Sequence, residues 1–103
     1  MQGADVEFET EAYAELLEAL AWYARRSPVA SLKFEEAVRQ ARQLIAERPD
    51  WWSPTVDDQH RQIPLHGFPY FLIYRSDKRP IRITAVAHDS RREGYWLSRE
   101  NPT

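Results

Sequence analysis

The chain has 103 residues, the size of one compact domain, so a single site is expected rather than several. It has no cysteine, which excludes a disulfide framework, a thiolate metal cluster and a thiol nucleophile; its start, MQGADVEFE, has no basic or apolar leader region, and no window approaches the roughly 20 apolar residues of a membrane span, so a cytoplasmic protein away from membranes is expected. The net charge of −2 hides a division: residues 1–58 carry 12 acids and 6 bases, whereas residues 59–103 carry 4 acids and 8 bases together with His60, His66 and His88, so an anionic partner should meet the C-terminal half.

Val6 and Phe8 alternate with Asp5, Glu7 and Glu9, a period of two that predicts a short first strand with its glutamates in water. Thr10 is the expected N-cap of a helix over residues 11–26, with Glu11 at the positive end of the helix dipole and Arg25 and Arg26 at the negative end. Tyr13, Leu16, Leu17, Leu20 and Ala24 recur at helical spacing and form its expected apolar stripe. Ser27-Pro28 stops this helix and starts the next, because proline cannot continue a helix but suits the first position of a new one. The second stripe is Phe34, Ala37, Val38, Ala41, Leu44 and Ile45, ended near Arg48 by Pro49. So short a connection folds the two helices into an antiparallel hairpin.

Residues 49–59 contain two prolines and no clear period, which predicts a loop in which Trp51 and Trp52 cap the core edge or, alternatively, anchor a partner. An antiparallel meander follows. Residues 60–65 form a strand with Ile63 and Leu65 on one face and Pro64 marking an edge or bulge. His66-Gly67-Phe68-Pro69 is a turn, residues 70–75 an apolar strand, and residues 76–80 a second turn. In the last strand Ile81, Ile83, Ala85 and Ala87 alternate with Arg82, Thr84, Val86 and His88. His60 is expected on the strand surface and His66 in its turn. The expected fold is α+β in the order β-α-α-β-β-β, a helix hairpin packed on one face of a small antiparallel sheet of three or four strands, forming one domain over residues 1–103.

The window AVAHDSRREGYWLSR, residues 85–99, gathers most of the chain's distinctive chemistry. Arginine clamps a phosphate bidentately, histidine titrates near neutral pH, and tyrosine or tryptophan stacks on a base, an inventory that suits RNA cleavage. Alternatively, Tyr95 and Trp96 dock the tail onto the sheet while the arginines remain solvated. Arg75 either faces the tail or pairs with an acid across the sheet. Glu35 and Glu36 are adjacent on a helix and diverge, so they do not form an acid/base pair. No metal motif is present, and neither a metal nor a cofactor is expected.

A helix hairpin followed by FPYFLIYR and then IRITAVAHDSRREGYW resembles the RelE/ParE superfamily of type II toxin-antitoxin toxins. In that superfamily an FPY-type strand precedes a strand ending in histidine and paired arginines ahead of an aromatic. The resemblance implies a growth-arresting toxin and offers two mechanisms. RelE-like members cut messenger RNA on the ribosome, whereas ParE-like members inhibit DNA gyrase without a known hydrolytic site.

In the RelE-like case His88, Arg91 and Tyr95 would be catalytic, with His88 as acid or base and Arg61, Arg91 or Arg92 as phosphate clamp. Arg61, Arg75, Arg91, Arg92, Trp96 and Arg99 are the expected target-binding residues. The chain has only two lysines, Lys33 and Lys78, and a net negative charge, which favours the ParE-like alternative over affinity for ribosomal RNA. A third alternative is an inactive homologue serving as a protein-interaction module. The expected partners are a cognate antitoxin, whose acidic residues would suit the basic half and basic residues the acidic half, and a target that is gyrase or the ribosome with its messenger RNA.

Overall fold

A computed structural model describes residues 5–100; residues 1–4, on which the expectation of no leader partly rests, lie outside them. The elements are β1 (Val6–Phe8), α1 (Thr10–Arg26), α2 (Pro28–Glu47), β2 (Ser53–Pro54), β3 (His60–Pro64), β4 (Tyr70–Arg75), β5 (Ile81–His88) and α3 (Leu97–Glu100). Both long helices lie on one face of the sheet, as their apolar stripes require.

Thr10 is the first helical residue rather than the cap. The Glu9 N–H still donates to the Ile83 carbonyl at 2.9 Å while the Glu9 carbonyl accepts from Tyr13 N–H at 2.9 Å, so strand pairing and helix meet at one residue. Ser27 caps α2, its Oγ accepting from the Ala30 N–H at 3.3 Å, with Pro28 opening the helix. The face of α1 that meets the core is Ala12, Leu16 and Ala19, with Leu20 and Tyr23 beside it. Tyr13 and Leu17, expected in the stripe, are about half exposed, and Ala24 is exposed. Small residues face the sheet because α1 packs directly over β5, where a smaller side chain permits closer approach. Phe34, Ala37, Val38, Ala41 and Ile45 of α2 are buried as expected, but Leu44 is exposed.

The sheet has five strands in the order β1-β5-β4-β3-β2 and is mixed rather than antiparallel. β1 pairs parallel with β5, Val6 opposite Ile81 and Phe8 opposite Ile83. Parallel pairing needs a long crossover connection, and the intervening chain provides one. The fifth strand is β2, which pairs Ser53 with Gln62 and Pro54 with Arg61; two residues are too few to show a period, hence the expectation of a loop there.

A β-bulge in β5 overturns the expected alternation in that strand. Ile73 opposes Ala85 whereas the next residue of β4, Tyr74, opposes Ile83, so Thr84 is the extra residue and the faces exchange across it. Ile81, Ile83 and Val86 join the core under the helices. Ala85 and Ala87 point to the opposite face and pack with Ile73 and Trp96.

The FPY sequence closes the end of the hairpin. Phe34 lies with its ring centroid 5.1 Å from Tyr23, 5.0 Å from Phe68 and 5.1 Å from Tyr70, so two helices and the β3–β4 turn meet in one aromatic cluster. At the other end the buried Tyr74 hydroxyl donates to the Pro49 carbonyl at 2.7 Å. Tyr74→Phe leaves that carbonyl without its donor and is expected to cost about 1–2 kcal/mol. Urea denaturation measures this, and an unchanged midpoint would refute the role given to the hydroxyl.

Candidate target-binding surface at the C-terminal tail

β1 is short, so the edge of β5 beyond Ile83 has no neighbouring strand. Two tail and helix side chains occupy it. Glu15, from α1, accepts the Val86 N–H on Oε1 at 2.9 Å, and Arg99, from α3, donates to the Thr84 carbonyl at 3.0 Å. The two side chains also pair with each other, Arg99 Nη2 to Glu15 Oε2 at 2.9 Å, and the Tyr95 hydroxyl donates to the same carboxylate at 2.7 Å. Exposed sheet edges invite strand addition. Here side chains satisfy the edge and fasten the tail to it.

Burial alone would raise the Glu15 carboxyl pKa, but the donors Arg99, Tyr95 and Val86 N–H outweigh it and hold the group below its ordinary value. Tyr95 moves the opposite way: burial, then its hydrogen bond to the Glu15 carboxylate and that negative charge, raise its pKa, so the phenol keeps its proton at neutral pH. Trp96 is only 3 % exposed and packs against Ile73, Ala85 and Ala87. Tyr95, Trp96 and Arg99 therefore all serve to dock the tail.

The remaining expected site residues separate. Arg61 lies on the helix side of β3, opposite Tyr74, and donates to the Trp52 carbonyl at 2.8 Å and the Ser76 hydroxyl at 3.4 Å. Arg75, one residue further along β4 than Tyr74, lies on the other face and donates from Nε to Asp77 at 2.9 Å. Arg91 and Arg92 are exposed. Arg91 lies over the Tyr95 ring at 3.9 Å, a cation–π contact, and its guanidinium is 4.0 Å from Glu15, beyond hydrogen-bond length.

His88 ends β5 with its ring edge-on to Tyr70 at 4.9 Å. Its Nδ1 lies 3.0 Å from the Ser90 N–H and 3.3 Å from an Asp89 carboxylate oxygen. The two contacts make opposite demands, since Ser90 needs a lone pair on Nδ1 and Asp89 a proton. The backbone N–H is a fixed donor and the closer partner, so Nδ1 acts as acceptor.

Two concave surfaces share His88 and Arg91 as their common wall. On the helix side a groove of about 630 Å³ has an apolar floor that includes Ala19, Trp22, Tyr70 and Val86. On the opposite face a cleft of about 280 Å³ is floored by Phe71, Ile73 and Ala87, with Arg91 and Arg92 balanced by Asp89 and Glu93 at its rim.

His60, expected on the surface, is 2 % exposed. Asp57 turns the chain back at this point, accepting from the Thr55 hydroxyl, the Gln59 and His60 N–H groups, and His60 Nδ1 at 2.7 Å. Burial opposes ionisation of Asp57, but these bonds outweigh it and hold its pKa low. Trp52 packs against the core whereas Trp51 is exposed. Sequence reasoning also missed Glu15, because nothing local marks a helix glutamate whose partners lie 71 and 84 residues away.

Among the described residues no helix is long and apolar enough to cross a membrane, and no group of three or more His, Asp or Glu side chains is placed to hold a metal ion. No curated protein matches the chain. Among solved structures, a chain described as the chromosomal ParDE TA system from P. aeruginosa superposes with a TM-score of 0.70 at 15 % identity, covering 82 % of this chain and 95 % of that one. The likeness is one of fold. The family described as the ParE toxin of type II toxin-antitoxin system, parDE, matches residues 6–93, from β1 through the paired arginines and up to the docked aromatics, and the chain therefore belongs to the ParE toxin family and is the toxin component of a type II toxin-antitoxin system.

Proposed function

We propose that this toxin arrests bacterial growth in the cytoplasm by binding DNA gyrase through the end of β5 and the start of the tail, where His88, Arg91 and Arg92 are presented. The observation that carries this reading is the Glu15 clamp. Tyr95 and Arg99 are consumed in docking the tail, so the segment between His88 and Tyr95 is held between two fixed points with its arginines outward. A pre-ordered cationic loop suits recognition of a protein surface, since less entropy is lost on binding.

RNA cleavage has less support from the same residues. A 2′-hydroxyl attack needs an acid and a base near a phosphate clamp, but the Tyr95 hydroxyl is taken up by the Glu15 carboxylate and the adjoining cleft carries as many carboxylates as guanidiniums. A polyanion gains little from such a rim. The apolar groove beside α1 suits a segment of a cognate antitoxin, and filling it would cover His88 and Arg91 together. Neutralisation would then be steric.

Induced expression of the chain is expected to stop growth, with relief by the neighbouring antitoxin, and the purified protein to inhibit gyrase supercoiling. Arg91→Ala with Arg92→Ala should weaken inhibition by about tenfold or more, whereas His88→Ala should act as a single contact residue does. Ribosome-dependent transcript cutting that disappears with His88→Ala would overturn this reading in favour of the nuclease.

A further inference from the structure

The two long helices differ on the side that faces away from the sheet. On α2 that side is charged and paired within itself: Glu36 accepts from Arg39 Nε at 2.9 Å and from Gln40 at 3.2 Å, and Glu47 accepts from Gln43 at 3.5 Å, the solvated face of an ordinary amphipathic helix. α1 instead carries a second apolar face. Its inner one, Ala12, Leu16 and Ala19, is covered by the core. On the outer side Thr10, Ala14, Leu17, Ala21 and Ala24 are all exposed, and they follow one another at spacings of four, three, four and three residues. That alternation is the repeat of about 3.5 residues that makes a coiled-coil seam. Small side chains along it let the backbone of a second helix approach closely. The two flanks of the seam are unlike. One holds Glu11, Glu18 and Arg25 at intervals of seven residues, all exposed, so its charge runs from acidic to basic along the helix. Arg25 has no hydrogen bond or ion pair among the described residues. The other flank holds Tyr13, 50 % exposed, and the partly buried Leu20, and carries no charge.

We propose that a second copy of this chain docks on this face, with the two α1 helices antiparallel about a two-fold axis. In such a pair each flank meets the same flank of the other copy in reverse order. Glu11 of each copy then stands opposite Arg25 of the other, which gives two ion pairs per dimer, and the uncharged flanks with Tyr13 and Leu20 cover one another. Glu18 meets its own copy near the axis, one like-charge approach against two opposite-charge pairs. Parallel packing has no such match, because it sets the charged flank against the uncharged one and brings like ends together. Glu18, Ala21 and Arg25 also line the groove beside α1. On the reading above that an antitoxin segment fills that groove, the toxin dimer and the antitoxin complex exclude one another.

Sedimentation equilibrium of the whole chain without antitoxin tests this. The expected result is a reversible dimer with a Kd of about 10 μM or tighter. Leu17→Glu puts a charge into the seam and should leave a monomer with the circular dichroism of the parent, since Leu17 is about half exposed in the single chain. Glu11→Arg alone and Arg25→Glu alone each turn two attractions into two repulsions and should weaken the dimer by about tenfold. The two exchanged together restore both pairs with the signs reversed and should bring the Kd back to within about threefold of the parent. A parent that stays monomeric at about 200 μM, a dimer that persists unchanged with Leu17→Glu, or a double exchange no better than the single ones overturns the proposal. A monomer that loses binding to the neighbouring antitoxin with Leu17→Glu overturns it in favour of the antitoxin as occupant of this face. No step requires growth arrest or gyrase inhibition, so the result does not depend on whether gyrase is the target.

Discussion

Glu15→Ala is expected to release the tail and lower stability by about 2–4 kcal/mol, because the Val86 N–H loses its acceptor and the Arg99 guanidinium loses its ion-pair partner, keeping only the Thr84 carbonyl, in a mostly buried position. The Glu15 and Arg99 side chains are 13 % and 19 % exposed, which places the effect below that of a fully enclosed pair. Denaturant unfolding measures the loss. The Trp96 indole resonance reports tail release, since that side chain leaves its contacts with Ile73 and Ala85. A loss below about 0.5 kcal/mol, the level of an ordinary surface substitution, would show that the clamp does not hold the tail.

The same carboxylate makes docking sensitive to acid. Its folded pKa lies below the ordinary value, so the native state binds this proton less readily than the unfolded chain. Its stabilisation is complete above the unfolded carboxylate pKa of about 4.3 and is lost as pH falls through the lower folded value. The tail should remain docked at pH 5 and open only below about pH 4. Asp57 and Asp77 are also held low and contribute to acid unfolding as a whole. Glu15→Gln isolates one group: the Trp96 signal should then lose its acid transition, and an unchanged transition would assign it to the aspartates.

Phe34→Ala is expected to have the largest effect of any single core change. The side chain is fully buried and shares ring contacts with Tyr23, Phe68 and Tyr70, so truncation removes its transfer energy and leaves a cavity among three rings, about 3–5 kcal/mol together. For a domain of this size the total stability is on the order of 5–15 kcal/mol. A fall in melting temperature of roughly 15 °C or more follows. Phe34→Leu keeps most of the volume and should cost less than half as much. Circular dichroism melting distinguishes the two, and near-equal melting temperatures would mean that the cluster tolerates collapse around the missing ring.

Helix positions, the hairpin and the three strands of the meander were legible because each is an amphipathic repeat whose period survives in the order of residues. Proline supplied the punctuation: Ser27-Pro28 between the helices and Pro49 just past the end of the second. Side-chain size misled within α1, where Tyr13 and Leu17 looked like core and Ala12 and Ala19 formed it. Proximity to the sheet rewarded the small residues, and proximity is a tertiary property.

The tail shows where local reading stops. Its residue types marked residues 85–99 as the region with distinctive chemistry, but their roles depended on a bulge at Thr84 and a glutamate on α1. One extra residue in β5 moves Ala85 and Ala87 to the face that Trp96 covers and Val86 to the face beneath the helices, and no periodicity rule signals that exchange in advance. The short β1 leaves an open edge that Glu15 and Arg99 then fill, a consequence of where a distant strand ends. The sequence by itself determined the first strand, the two long helices, the three strands of the meander, the charge division and the family motif, since these reside in neighbouring residues. Tertiary structure decided the parallel β1–β5 pairing, the burial of His60, the docking of Tyr95, Trp96 and Arg99, and the exposure of Arg91 and Arg92, because each depends on contacts between residues that only the folded chain brings together.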